Sequence, residues 1–70
     1  MKAINDPETD TLTFIFRKGF VKESKELKEG LIVDYDKEGR IISIETLDAS
    51  FHTNKPMEFI YERKRTATKE

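Results

Sequence analysis

Asp34, Asp36 and Glu38 alternate along the chain, Gly39 follows, and Glu45 stands twelfth in a count that begins at Asp34. Oxygen donors at that spacing around a glycine are the ligand pattern of a calcium loop, where a hard cation gathers carboxylates from a tight turn. These four acidic residues are therefore the candidate metal ligands. Such a loop needs a helix on each side, whereas Leu31 to Val33 and Ile41 to Ile44 are β-branched runs that prefer strands. A solvated ion pair between Asp36 and Arg40 at a hairpin turn accounts for the same charges, so no metal or other cofactor is expected.

Three further groupings have the residue types for chemistry but lack its spacing. Ser50 lies two residues before His52, the one histidine, and no cysteine, second histidine or Gly-x-Ser-x-Gly turn accompanies them. A surface histidine in a connecting segment is the plainer account, and no catalytic residue is assigned. Asp6, Glu8 and Asp10 cluster around Pro7, where acidic side chains commonly cap their own turn. Arg63, Lys64, Arg65 and Lys69 lie beside Phe59 and Tyr61, an arrangement that can follow a nucleic-acid backbone. With 13 Lys and Arg against 14 Asp and Glu the chain has no basic field to support it. Nucleic acid is not an expected partner, and the chain is not expected to be an enzyme.

The elements that must position these residues are short. A chain of 70 residues leaves room for one domain, and a domain this small keeps roughly 40% of its unfolded surface in water. With no cysteine for a disulfide and one histidine for a zinc site, a partner subunit is the remaining aid to stability. No apolar window approaches bilayer length, and a soluble, cytoplasmic protein is expected.

Lys2 to Asn5 reads as a strand stub before the Asp6-Pro7 turn. Thr11 to Arg17 alternates, with Leu12, Phe14 and Phe16 on one face, and is the clearest strand. Residues 21–29 fit a polar edge strand better than a short helix, because Leu27 alone gives a helix little to bury. Leu31 to Asp36 and Arg40 to Thr46 flank Lys37-Glu38-Gly39, with glycine where a bulged hairpin needs the left-handed region. A regular register would set Val33 against Ser43 and Ile32 against Ile44, leaving the hairpin apolar on both faces. Leu47 to Ser50 suggests a turn or one helical turn. Met57, Phe59 and Tyr61 alternate after Pro56 and suggest a last strand, with a helix over 57–65 as the competing expectation.

Asn5-Asp6-Pro7-Glu8-Thr9-Asp10-Thr11-Leu12, then Glu29-Gly30-Leu31-Ile32-Val33-Asp34-Tyr35-Asp36, then Gly39-Arg40-Ile41-Ile42-Ser43-Ile44-Glu45 closing on Leu47-Asp48-Ala49-Ser50 form an ordered pattern. Over about residues 3–50 it resembles the small prokaryotic family known as domain of unknown function 2283. The resemblance carries over no activity, cofactor or catalytic residue. It implies a binding role, antitoxin-like in that some members look like partners of small toxins encoded beside them. The segment from Phe51 onward is longer than the family needs.

The expected fold is mainly β, or α+β: one small antiparallel meander of five to six short strands with at most one short helix. Residues 1–65 are expected to form a single domain and 66–70 a frayed tail. The expected function is a homo-oligomeric, most simply dimeric, protein-interaction module, with a small protein as a further candidate partner and Tyr35, Ile42, Ile44, Phe59 and Tyr61 as candidate contact residues. The alternative is a calcium-responsive regulatory domain using the acidic hairpin turn.

Overall fold

The computed structural model describes residues 1–65; the tail expected over 66–70 lies outside the described residues. β1 (Lys2–Asp6), β2 (Thr11–Ile15), β3 (Glu23–Lys28), β4 (Leu31–Tyr35) and β5 (Ile41–Thr46) precede a single helical turn, α1 (Ala49–His52). The five strands form one sheet in the order β1-β2-β5-β4-β3, antiparallel throughout. Consecutive strands are neighbours except at one step. Residues 16–22 carry the chain from β2, past the ends of β5 and β4, to the far edge. That passage is tied down by backbone bonds from the Phe16 N–H to the Ile42 carbonyl at 2.7 Å and from the Lys22 N–H to the Tyr35 carbonyl at 2.8 Å.

Each hairpin turns where its residue types allow. The Asp6 carboxylate accepts the Glu8 N–H at 3.0 Å, so the acidic cluster around Pro7 caps its own turn. Gly39 has φ +81°, the left-handed conformation that a side chain would strain, and closes the β4–β5 loop with a bond from its N–H to the Asp36 carbonyl at 3.0 Å. The charged stretch at 21–29 is an edge strand, with all six residues of β3 exposed. A shift in its pairing with β4 leaves Leu27 as an extra residue between Glu26 and Lys28.

The β4–β5 register departs from the regular one. Tyr35 pairs with Ile41 as expected, but Asp34 pairs with Ser43 and Val33 with Ile44. Ile42 is the extra residue, and a bulge there moves Ile44 onto the side of Val33. Residues that pair across strands share a face, so Leu12, Phe14, Leu31, Val33 and Ile44 lie together on one side of the sheet. The opposite side carries Thr13, Ile15, Ile32, Asp34, Ser43 and Glu45. The expectation of a hairpin apolar on both faces is thereby corrected: one face is apolar and the other mixed. On the mixed face Asp34 accepts hydrogen bonds from Ser24 and from Ser43, the latter at 2.7 Å. That bond satisfies the buried Ser43 hydroxyl.

The core is thin. Val33, Ile42 and Ala49 are its buried apolar residues among those described. Ile42 lies under the crossing loop, where a Cβ on Gly19 would meet its Cδ1 at 3.6 Å. Ala49 is held where α1 meets the sheet: its N–H donates to the Asp10 carbonyl at 2.8 Å, and the Asp10 carboxylate accepts the Ser50 N–H at 3.1 Å and the Ser50 hydroxyl at 2.7 Å. A residue 40 positions away thus caps the helical turn. The last strand expected at Met57 to Tyr61 does not form, nor does the competing helix: residues 58–65 run without regular secondary structure.

Candidate functional site

The sheet separates the sequence's acidic candidates. Both oxygens of Asp36 are engaged in its own turn: Oδ1 accepts the backbone N–H groups of Glu38 and Arg40, each at 2.9 Å, and Oδ2 accepts Arg40 Nε at 2.9 Å. Glu38 pairs with the same guanidinium at 3.0 Å. Asp34 is held between two serines on β3 and β5, and Glu45 sits opposite Ile32. The loop joins two strands rather than two helices, and no group of three or more His, Cys, Asp or Glu side chains converges among the described residues. The calcium-loop spacing in the sequence is therefore not matched by a calcium-loop geometry.

Asp36 shows what this turn does instead. Partial desolvation of the carboxyl opposes ionisation, but the backbone N–H of Arg40, its guanidinium and the N–H of Glu38 outweigh it and hold the group below the ordinary carboxylate value. A depressed folded-state value means that this turn's stabilisation is present above the unfolded carboxylate pKa, about 3.9, and is lost as pH falls through the lower folded value. Thermal melts between neutral pH and pH ~2 should show a loss of Tm on the acid side that is smaller in Asp36→Asn, whose side chain does not titrate. Equal acid slopes for both chains would contradict this role.

Ser50 and His52 do not act on each other. The Ser50 hydroxyl is directed to Asp10, and the His52 ring stands edge-on to Phe51 at 5.2 Å between centroids.

The candidate contact residues divide. Ile42 is 6% exposed and fills the chain's own core, so its place as a surface contact is corrected. Ile44 lies on the apolar face beside Val33 and Phe14. Tyr35 is half-buried near the β3 edge, with Lys25 Nζ 5.9 Å from its ring centroid. Phe59 and Tyr61 come together at the opposite edge. The Phe59 ring lies tilted over Phe14 at 5.7 Å between centroids, and with Tyr61, Met1, Lys2 and Ala3 these two phenylalanines line a cleft of about 320 Å³. Its walls remain open to solvent: Met1, Phe59 and Tyr61 are all more than half exposed.

The cleft follows from the way the ends of the chain meet the sheet. β1 pairs only with β2, setting Ala3 beside Phe14, and the segment after α1 returns across the apolar face to lay Phe59 on that pair. The alternation of Phe59 and Tyr61 places both on the cleft without any ladder of hydrogen bonds. Met1, Lys2, Ala3 and Phe14 are members that the sequence did not mark; the nearest signal was the apolar stripe of β2, which assigns Phe14 to a core.

Among the described residues, no helix is long and apolar enough to cross a membrane. Residues 5–50 match the family model described as protein of unknown function, DUF2283. No curated protein and no solved structure matches the chain.

Proposed function

The chain belongs to the DUF2283 family, and on that footing we propose that it is a non-enzymatic protein-interaction module that works as a homo-oligomer through the apolar cleft along β1. The observation that carries this is the half-finished cover of the sheet's apolar face. One layer of strands meets a single helical turn and an irregular return segment, and that segment's aromatic side chains stay largely in water.

The missing cover has a size. The accessible surface is 6148 Å², against about 4,500 Å² for a folded monomer of this mass. The radius of gyration is 14.5 Å, against about 11 Å for a compact chain of this length. The excess per chain is about twice the roughly 800 Å² that each partner loses in a standard protein interface. A contiguous apolar patch beside an open strand edge is where such an interface forms.

Sedimentation velocity from about 1 to 100 µM is expected to show a monomer giving way to a dimer, with Tyr61→Ala shifting the dissociation constant about tenfold upward. Because Tyr61 is 68% exposed, its melting temperature should change little. A wild-type chain that sediments as a monomer across this range overturns the proposal. Stoichiometric binding of a different small protein at the cleft, in place of a second copy, would support the antitoxin-like role instead.

A further inference from the structure

We propose that β1 of one copy pairs antiparallel with β1 of a second copy about a two-fold axis at Ile4, joining two five-stranded sheets into one of ten strands. This rests on the interaction-module proposal and specifies its partner and register.

The sheet has two free edges among the described residues, and they differ in kind. β3 is charged, fully exposed and interrupted by the Leu27 bulge. Its charges also alternate, but a partner strand following it residue by residue loses register between Glu26 and Lys28. β1 has no bulge against β2: its pairing runs unbroken from Lys2 opposite Ile15 to Asp6 opposite Thr11. Lys2, Ala3 and Ile4 are exposed, and the cleft adjoins them.

β1 is also complementary to itself. An antiparallel copy centred on Ile4 sets Lys2 opposite Asp6 of the second chain, Ala3 opposite Asn5, and Ile4 opposite Ile4. Two-fold symmetry repeats the Lys2–Asp6 pair, so one register makes two opposite-charge contacts. Parallel pairing in register would instead put Lys2 against Lys2 and Asp6 against Asp6. Moving the axis to Ala3 or Asn5 sets neither Lys2 opposite Asp6 nor Ile4 opposite Ile4. Among the described residues neither Lys2 nor Asp6 forms an ion pair within its own chain.

The register places apolar surface as well as charge. Ile4 lies on the mixed face with Thr13 and Ile15, and pairing at Ile4 sets the two isoleucines side by side. Because the axis stands perpendicular to the joined sheet, the apolar faces of both copies lie on the same side. The two clefts with their Met1, Phe59 and Tyr61 walls then lie on that side, one at each end of the junction. Edge pairing supplies backbone hydrogen bonds and the flanking cleft supplies the apolar area, the division of labour of strand addition in general.

The chain has no cysteine, so a single introduced thiol reports the axis directly. Directly opposite residues in an antiparallel pair have Cα atoms about 4.5–5.5 Å apart, within the range a disulfide spans. Mild oxidation of Ile4→Cys is expected to convert most of the chain into a covalent dimer, while Lys25→Cys on β3 stays monomeric under the same conditions.

The charge register has an independent test. Lys2→Glu alone and Asp6→Lys alone should each raise the dimer dissociation constant about tenfold. Mixing the two variants one to one should restore wild-type affinity as a heterodimer, because both cross-strand pairs are then opposite in sign. A wild-type dimer that neither cross-links through Ile4→Cys nor shows rescue on mixing overturns β1 pairing while leaving the interaction module standing. A wild-type monomer removes both. If Asp6→Lys loses its circular dichroism spectrum with the turn it caps, the Ile4→Cys cross-link decides alone.

Discussion

Val33→Asp is expected to leave the chain unfolded at 25 °C. Val33 is 3% exposed on β4, between Lys25 of β3 and Ile44 of β5, at the middle of the apolar face. A carboxylate there must be desolvated or protonated, and either costs several kcal/mol. A core of this size supplies only about 3–5 kcal/mol of net stability, so the substitution consumes all of it. Lys25 offers no rescue, because its ammonium lies exposed near Glu23 and the Tyr35 ring. Val33→Ala isolates the packing contribution: losing two methyl groups and leaving a gap costs about 2 kcal/mol, or a fall in Tm of roughly 8–16 °C for a domain this short. Circular dichroism melts and amide dispersion in NMR spectra measure both. A folded Val33→Asp chain with wild-type dispersion would show that β4 is not the centre of the core.

Phe14→Ala should have the second-largest effect, and it should act on stability and association together. Phe14 belongs to the apolar face, pairs across strands with Ala3 and Ile44, and supports the Phe59 ring. Truncating a half-buried phenylalanine that carries a second ring is expected to cost about 2–3 kcal/mol. It also removes the floor of the cleft, so the dimer should be lost up to about 100 µM even where the monomer stays folded. Phe59→Ala should cost less, since Phe59 is itself half in water. A double-mutant cycle should return a coupling of about 0.5–1.5 kcal/mol between the two rings. Additive effects would mean that the return segment does not dock on Phe14.

Much of the fold is written plainly in the residues. β2 shows itself by alternation, the β4–β5 hairpin by its glycine, and the polarity of β3 marks an edge because six exposed positions have little to bury. The register of β4 against β5 is not legible in this way. A bulge at Ile42 adds one residue without changing the local pattern, and only the pairing of β5 with β4 and β2 shows which side of the sheet Ile44 occupies. The return segment misleads for a related reason. An extended chain has the same two-residue period whether or not it joins a ladder, so Met57, Phe59 and Tyr61 read as a strand although Met57 lies in a turn and Phe59 rests on Phe14 of the sheet. A third of the cleft is visible in the sequence: Phe59 and Tyr61 can be named, but Met1, Lys2, Ala3 and Phe14 become its walls only through the β1–β2 pairing. In the Asp34 to Glu45 spacing, the carboxylates of Asp34 and Asp36 are engaged in strand and turn hydrogen bonds, which spacing alone does not reveal.

The extra residue at Leu27 decides how far assembly can go. A sheet that grew at both edges would add copies without end, the geometry of a filament. If copies join through β1 as proposed, the bulged and charged β3 offers no second edge for growth, and the symmetry closes on itself. One unpaired leucine on the far edge would thus set the stoichiometry of the proposed interface, which it never touches.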